Sequence, residues 1–225
     1  MPPQSPPPPP PYGSRSQITP PPRQPGNYMT IIRDSGPIKQ EFLINPTLSV
    51  PSELLPPLTA HETENSRNNL NIEAKWGEID VNIEVMKSDW LTRCRVDIRA
   101  HGDIVIRLGL PGIVSPDDPI RPGPLCLMDV CASSGSIYLL IPRKRMEGPL
   151  NITSRRDVSF SSALTKDLTT FNERGKRREC FIGNFAAWSE GMGDVINLEA
   201  KAGGVLVQYN DEPFVKPESG GCIIA

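Results

Sequence analysis

Apolar and polar positions alternate with period two along most of the chain beyond about residue 66. Five segments superpose: IEAKWGEIDV from Ile72, IRAHGDIVI from Ile98, VCASSGSIYL from Val130, ITSRRDVSF from Ile152 and LEAKAGGVLV from Leu198. In each of them a short polar turn separates two alternating stretches. Because successive side chains of a strand point to opposite faces, the pattern predicts paired strands, each with one buried face.

Equivalent positions of these segments are expected to lie in register. One column holds the small residues Ala74, Ala100, Ala132, Ser154 and Ala200, and a second holds Ile79, Ile104, Ile137, Val158 and Val205. The turn glycines Gly77, Gly102, Gly135 and Gly203 are expected to supply the positive φ of a tight turn. Stacked columns of like residues favour an all-β, β-solenoid-like stack of strand–Gly turn–strand units; the alternative is a β-sandwich.

The chain divides into four predicted regions. Of its 26 prolines, 17 lie in the first 57 residues, so residues 1–30 are expected to form a disordered, proline-rich arm. Residues 31–67 are predicted to form an extended strap that docks on the domain. Residues 68–212 form the β-repeat domain, and residues 213–225 a flexible tail.

Composition restricts the class of protein. The net charge of −2 creates no global field that would attract nucleic acid. The five cysteines contain no Cys-x-x-Cys pair, and the two histidines are too few for a zinc site, so no metal or cofactor is expected. The N-terminus has no signal-peptide pattern, and no apolar run is long enough to span a bilayer. These features predict a cytoplasmic protein.

Basic residues concentrate in one part of the sequence. Residues 143–178 hold ten Lys/Arg against four Asp/Glu. If the third and fourth segments stack, their basic groups lie on adjacent units and predict a surface for anionic lipid, the alternative being a solvated rim. The predicted contacts are Arg143, Lys144, Arg145, Arg155, Arg156, Arg174, Lys176, Arg177 and Arg178.

Both ends of the chain carry short motifs. The final CIIA matches the C-a-a-X prenylation signal, with Cys222 as the lipidated thiol and a last residue that favours farnesyl. Near the start, Pro9, Pro10 and Tyr12 lie in PPPY, which has the Pro-Pro-x-Tyr form of a WW-domain ligand.

Candidate catalytic residues are interpreted as architecture. Acids near turns suggest an enzyme, yet acids at repeated positions are typical of turn chemistry. His101 has no nucleophile placed beside it by the sequence. The cysteines of LCLMDVCA are expected in the core, and the two tryptophans are expected to cap its ends, the alternative being a ligand platform. The residues concerned are Glu78, Asp103, Asp157, Asp194, Cys126, Cys131, Trp76 and Trp188.

The segments NLNIEAKWGEIDV (residues 69–81) and GSIYLLIPRKRMEGPLNITSRRDVSFSS (residues 135–162) resemble an uncharacterised family of fungal cytosolic proteins. Members of that family have a proline-rich start and a β domain, and the resemblance covers about residues 65–212. It implies no catalytic residue. The sequence therefore predicts a non-enzymatic, prenylated peripheral membrane protein whose proline-rich arm recruits a WW-domain partner. The alternatives are a β-helix carbohydrate-active enzyme and a soluble adaptor without lipid.

Overall fold

The computed structural model describes residues 24–59, 62–86, 92–109, 125–143, 146–188 and 193–216. Within these ranges the chain is all-β, with no α-helix. The strands are β1 (Met29–Arg33), β2 (Ile38–Ile44), β3 (Leu70–Ala74), β4 (Ile79–Val85), β5 (Arg93–Ala100), β6 (Ile104–Gly109), β7 (Leu125–Ala132), β8 (Ile137–Ile141), β9 (Gly148–Ser154), β10 (Val158–Phe160), β11 (Leu168–Arg174), β12 (Arg177–Ile182), β13 (Val195–Ala200) and β14 (Val205–Tyr209). Short 3-10 helices cover Ser52–Leu54, Glu64–Ser66, Leu164–Asp167 and Phe185–Ala187.

The strands form two sheets. The eight-stranded sheet has the order β1-β3-β5-β7-β13-β9-β12-β11, and the six-stranded sheet has the order β10-β14-β8-β6-β4-β2. A turn joins two successive strands, one in each sheet, and we call such a pair a unit. Neighbouring units pair in parallel; only the hairpin β11–β12 adds antiparallel strands, beside β9. All these turns therefore lie along one edge of the two sheets, here called the turn edge.

Both predicted columns are confirmed. Ala74 pairs with Ala100, Ala100 with Ala132, Ala132 with Ala200 and Ala200 with Ser154. The column from Ile79 through Ile104, Ile137 and Val205 to Val158 is likewise in register. Ala100 is 5% exposed and Ala132 is fully buried. The core lies between the sheets because the inward positions of both columns are apolar, and each fully buried isoleucine contributes about 1.5–3 kcal/mol.

A further unit precedes the five predicted ones. β1 pairs with β3 and β2 with β4, so Ile31 lies opposite Ile72 and Ile38 opposite Ile79. The prediction of a strap beginning at residue 31 is therefore wrong for β1 and β2. The expected arm also ends earlier than residue 30, because the Gly26 N–H already donates to the Leu43 carbonyl at 2.9 Å.

The units do not stack in chain order. β13 lies between β7 and β9, and β14 lies between β8 and β10. The third and fourth predicted segments are thus separated by the fifth, so the condition under which their basic groups would lie on adjacent units is not met. The hairpin β11–β12 occupies the other side of β9, so that strand is no longer an open edge.

The turn glycines have a different role from the expected one. Positive φ angles occur at Gly36 and at four other described glycines, but not at Gly77, Gly102, Gly135 or Gly203. A Cβ at Gly135 would lie 2.2 Å from the Gly102 carbonyl carbon, and one at Gly203 would lie 2.1 Å from the Gly135 oxygen. The turns are therefore glycine-rich because neighbouring backbones touch there.

Candidate functional site

Several predicted site residues lie outside the described part of the chain. These are Pro9, Pro10, Tyr12, Lys144, Arg145 and Cys222. Their roles remain predictions, so the geometry bears only on the remaining basic residues and on the surfaces around them.

Two neighbouring turns at the turn edge carry a group of exposed cations. The N–H of Ser154, the last residue of β9, donates to the Lys176 carbonyl of the β11–β12 turn at 2.9 Å. This contact brings Arg155, Arg156, Arg174 and Lys176 together, and we call these four residues the basic corner. All four are exposed, and none has an ion-pair partner among the described residues.

The two arginines that follow are partly neutralised. Arg177 Nη2 lies 2.8 Å from Glu179, and Arg178 Nη2 lies 2.7 Å from Glu173. Arg178 also donates to the Val158 carbonyl at 3.1 Å, which ties the hairpin to β10. The unpaired charge of this region is therefore concentrated in the basic corner.

Arg143 does not join this group. It follows β8, at the end of the strands opposite the turn edge. Its guanidinium donates to both carboxylate oxygens of Asp211, at 2.8 and 3.1 Å, and lies 4.1 Å from the centre of the Tyr209 ring. Arg143 therefore lies apart from the basic corner, at the other end of the strands.

Residues 210–216, here called the return segment, cross the outer face of the six-stranded sheet. Phe214 packs on Tyr138, with ring centres 5.7 Å apart. At its end, Lys216 Nζ binds Glu78 at 2.8 Å and Asp103 at 2.9 Å, both at the turn edge. Residues 213–216, expected to belong to a flexible tail, thus pack on the domain, and the described part of the chain ends beside the turns.

The predicted turn acids have two different roles. Asp103 accepts the Ser136 N–H of the next unit at 2.8 Å, so it links neighbouring turns as well as holding Lys216. Asp194 is buried before β13 and accepts the N–H groups of Cys126 at 2.7 Å and Glu147 at 3.0 Å. Burial raises the Asp194 pKa to about 6. This second role could not be predicted, because Cys126 and Glu147 are distant from Asp194 in the chain.

The turn edge also carries an aromatic residue. Trp76 is 68% exposed, so its predicted position at an end of the core is wrong. Its ring packs 4.8 Å from His101, whose Nε2 lies 3.3 Å from Ser134 Oγ. This serine–histidine pair is exposed, and no carboxylate contacts the imidazole among the described residues. The arrangement therefore lacks the group that would orient a catalytic histidine.

An open groove of about 370 Å³ lies on the outer face of the eight-stranded sheet. Its floor is formed by the outward side chains of β5, β7, β13 and β9, with Arg177 of β12 at one side. One row runs through Asp97, Asp129, Asn197 and Asn151, which are in register on neighbouring strands. A second row runs through Arg99, Cys131, Glu199 and Thr153.

Hydrogen bonds fix the orientation of the first row. Asn151 Nδ2 donates to Asn197 Oδ1 at 2.9 Å, and Asn197 Nδ2 donates to Asp129 Oδ1 at 2.8 Å. Arg99 binds both oxygens of Asp97, at 2.9 and 3.0 Å. These polar groups are positioned by the sheet before any ligand arrives.

The groove contains one thiol that was expected in the core. Cys126 is buried as predicted, but Cys131 points outward, and its Sγ lies 3.5 Å from Glu199. Burial raises the pKa of the Cys131 thiol, and the charge of Glu199 raises it further. The thiol is therefore protonated at neutral pH and is not an activated nucleophile.

Beside the groove, four aromatic rings cover the outer side of β12. Phe181 is buried by Phe185 and Trp188, with ring centres 5.3 and 5.6 Å away. Phe171 packs 4.6 Å from Phe185, and these two rings remain 55% and 48% exposed. The predicted capping role of Trp188 is thus replaced by packing on an outer face.

The fold and these surfaces define an all-β domain of two sheets built from repeated strand–turn–strand units. A family model described as a domain of unknown function (DUF7330) matches residues 27–212, and the chain belongs to that family. The expectation of an uncharacterised family is confirmed, and the match begins just before β1, which agrees with the additional first unit. No curated protein and no solved structure matches the chain significantly.

The described residues contain neither a membrane-spanning helix nor a cluster of metal ligands. No helix in the ranges described has the length and apolar character needed to cross a membrane. Within the same ranges, no group of three His, Cys, Asp or Glu side chains is placed to hold a metal ion.

Proposed function

We propose that the protein is a non-enzymatic, prenylated peripheral membrane protein. In this proposal the domain is a β-solenoid-like binding or scaffold module at a cytoplasmic membrane face. Cys222 carries a farnesyl group, and the proline-rich arm recruits a WW-domain partner. The observation that supports it is that the return segment ends at the same edge of the sheets that carries the basic corner.

The distances allow lipid and basic corner to contact one bilayer. From the turn of β5–β6, where Lys216 is held, to the turn of β9–β10 there are three strand spacings, or about 14 Å. Cys222 follows Lys216 by six residues, and six residues can span at most about 20 Å. The lipidated thiol can therefore reach any point of the turn edge between these units.

The charges supply the second signal that a single lipid needs. One chain of this length holds a protein on a membrane only marginally. Each cation near an anionic surface adds about 1 kcal/mol, so the basic corner adds about 4 kcal/mol, or roughly a thousandfold in affinity. Trp76, exposed on the same edge, suits the interfacial region where amphipathic aromatic rings accumulate.

The experiment is co-sedimentation of the farnesylated full chain with vesicles containing phosphatidylserine. Arg155→Gln with Lys176→Gln is expected to weaken binding roughly 30-fold at low salt. The matched control, Arg93→Gln with Lys166→Gln, removes two exposed cations away from the turn edge and is expected to leave binding within twofold. Equal losses in the two variants would show that the edge has no special role.

Lipidation is tested separately by cell fractionation. Cys222→Ser is expected to move the protein from membranes to the soluble fraction, while the basic-corner variant keeps its lipid by intact mass. Membrane retention of Cys222→Ser would exclude CIIA as the anchor. For the arm, Tyr12→Ala is expected to abolish binding of residues 1–23 to a WW domain, because it removes the tyrosine of the Pro-Pro-x-Tyr motif.

The geometry favours binding over hydrolysis. A glycosidase needs a carboxylic acid with a raised pKa that faces the substrate. Among the described carboxyl groups, the one with a raised pKa is Asp194, which is buried and uses both oxygens on backbone N–H groups. Of the outward acids of the groove, Asp97 is held by Arg99 and Asp129 by Asn197, while Glu199 lies 3.5 Å from the Cys131 thiol.

A further inference from the structure

We propose that the groove on the eight-stranded sheet binds a neutral oligosaccharide. This proposal does not depend on membrane attachment, because the groove and the turn edge are different surfaces. It concerns the row Asp97, Asp129, Asn197 and Asn151, the flanking guanidinium groups, and the exposed rings beside β12.

The first argument is the unused hydrogen-bonding capacity of a preorganised row. Asp129 can only accept, so Asn197 must present its NH2 to Asp129 and its oxygen to Asn151. This leaves the second oxygen of Asp129 and Oδ1 of Asn151 as acceptors without partners among the described residues. The orientation of both amides is therefore fixed before a ligand binds.

Donors lie directly beside these acceptors. Arg99 uses Nε and Nη2 on Asp97, which leaves Nη1 available, and Thr153 has a hydroxyl without a described partner. A ligand must then donate to one row and accept from the other, which lies two residues further along the same strands, about 7 Å away. Hydroxyl groups do both, and a sugar ring carries several of them at fixed positions.

The second argument is the charge of the groove. The carboxylates of Asp97, Asp129 and Glu199 outnumber the guanidinium groups of Arg99 and Arg177 by one, so the groove is slightly negative, and the half of the row formed by Asn197 and Asn151 is neutral. A phosphate or a polyanion would meet the unshared oxygens of Asp129 and Glu199. A neutral polyol meets no such repulsion.

The third argument is the aromatic wall. The polar row continues from Asn151 through Glu179 to Asn172, and the last two side chains are hydrogen-bonded at 3.2 Å. Phe171, the residue before Asn172 in β11, lies at a bulge. Phe171 and Phe185 together present two half-exposed rings beside the row. The apolar face of a sugar ring can pack on such rings while its hydroxyls bind the polar row.

The ligand class that fits is a linear neutral oligosaccharide lying across the strands. Two sources supply it: a soluble polysaccharide, or the sugar headgroup of a glycolipid on the membrane. The experiment separates them by titrating the full chain with neutral glucan, mannan and N-acetylglucosamine hexasaccharides in solution, and by co-sedimentation with vesicles that contain a neutral glycolipid but no anionic lipid.

At least one probe is expected to bind with an affinity that changes less than twofold between 0.05 and 0.5 M NaCl. Asn151→Ala and Phe171→Ser are each expected to weaken that binding at least tenfold, with the melting temperature retained. Asn71→Ala is the matched control, because Asn71 is in register with Asp97 but lies outside the groove. It is expected to leave affinity unchanged.

Three results would overturn the proposal. These are the absence of binding to every probe at 10 mM, loss of binding at high salt, and an equal loss in Asn71→Ala. Because the groove variants are expected to leave binding to phosphatidylserine vesicles unchanged, failure here is distinguishable from failure of the membrane proposal.

Discussion

Replacing Asp194 by asparagine is expected to reverse the order of stability between variant and native protein as pH rises. The native carboxylate is buried and bonds two backbone N–H groups, from Cys126 and Glu147. In Asp194→Asn one of these N–H groups faces an NH2 and loses its acceptor. An unsatisfied buried donor costs about 1–3 kcal/mol, and this cost applies at every pH.

The proton bound to native Asp194 contributes free energy of unfolding that depends on pH, and the asparagine variant has no such contribution. The Asp194 pKa is raised from 3.8 to about 6, first because of burial and further because of the charge of Glu147. Between these values the folded state holds a proton that the unfolded state has released. The stability that this proton gives the native protein is fully present below about pH 4 and is lost as the pH rises through 6. A shift of about two units corresponds to about 3 kcal/mol.

Together, these two effects predict that the free energies of unfolding of the variant and of the native protein cross as pH rises. Near pH 4 the asparagine variant should be less stable than the native protein by about 1–3 kcal/mol. By pH 7.5 the native protein should have lost about 3 kcal/mol that the variant does not lose, so the variant should be equal or more stable.

The measurement is urea unfolding of both proteins, followed by tryptophan fluorescence at half-unit steps from pH 4 to 8. The quantity compared is the difference between the two free energies of unfolding at each pH, because the other titrating groups cancel in it. A difference that stays constant across this range would refute the assignment of a raised pKa to Asp194.

The remaining predictions concern the turns and the return segment. Gly135→Ala is expected to lower the melting temperature severely or prevent folding, because its Cβ would overlap the Gly102 backbone. In the control variant Gly175→Ala the new Cβ meets no atom within 4 Å, so this change should cost only about 1 kcal/mol. Equal effects of the two changes on thermal unfolding would contradict the close-contact explanation. Phe214→Ala removes a half-buried ring from Tyr138 and is expected to cost about 1–2 kcal/mol and to open the segment to limited proteolysis. An unchanged cleavage rate in the Phe214→Ala variant would show that Lys216 alone holds the segment.

The repeated pattern was sufficient to predict the register of five units. Each column repeats the same residue type at the same distance from a turn, and a one-residue slip would move every apolar side chain to the outer face. The unit β1–β2 was not predicted, because Arg33 occupies the position held by alanine or serine in the other units. β1 is an edge strand of the eight-stranded sheet, so the Arg33 side chain can reach solvent there.

The spatial order of the units could not be predicted from the columns. Similar units fit beside one another in any order, so likeness shows that they stack but not which are neighbours. The groove was missed for a related reason: Asp129 and Asn197 are 68 residues apart, and they meet only because β13 inserts beside β7. The outward alternation of Asp97, Asp129 and Asn197 was the one signal available in the sequence.

The insertion of the last unit also constrains how the chain can fold. Units β1–β2 to β7–β8 can add to one another in the order of synthesis, each closing a short loop. β9 and β10 have no such option, because their neighbours β13 and β14 lie later in the chain. The final third of the domain must therefore assemble at once, around contacts that span 68 residues in sequence, and long-range parallel pairing of this kind is slow. A ribosome-bound chain that stops before Val195 would present unpaired edges on β7, β8, β9 and β10, so nascent chains at this stage should be the form most dependent on chaperones.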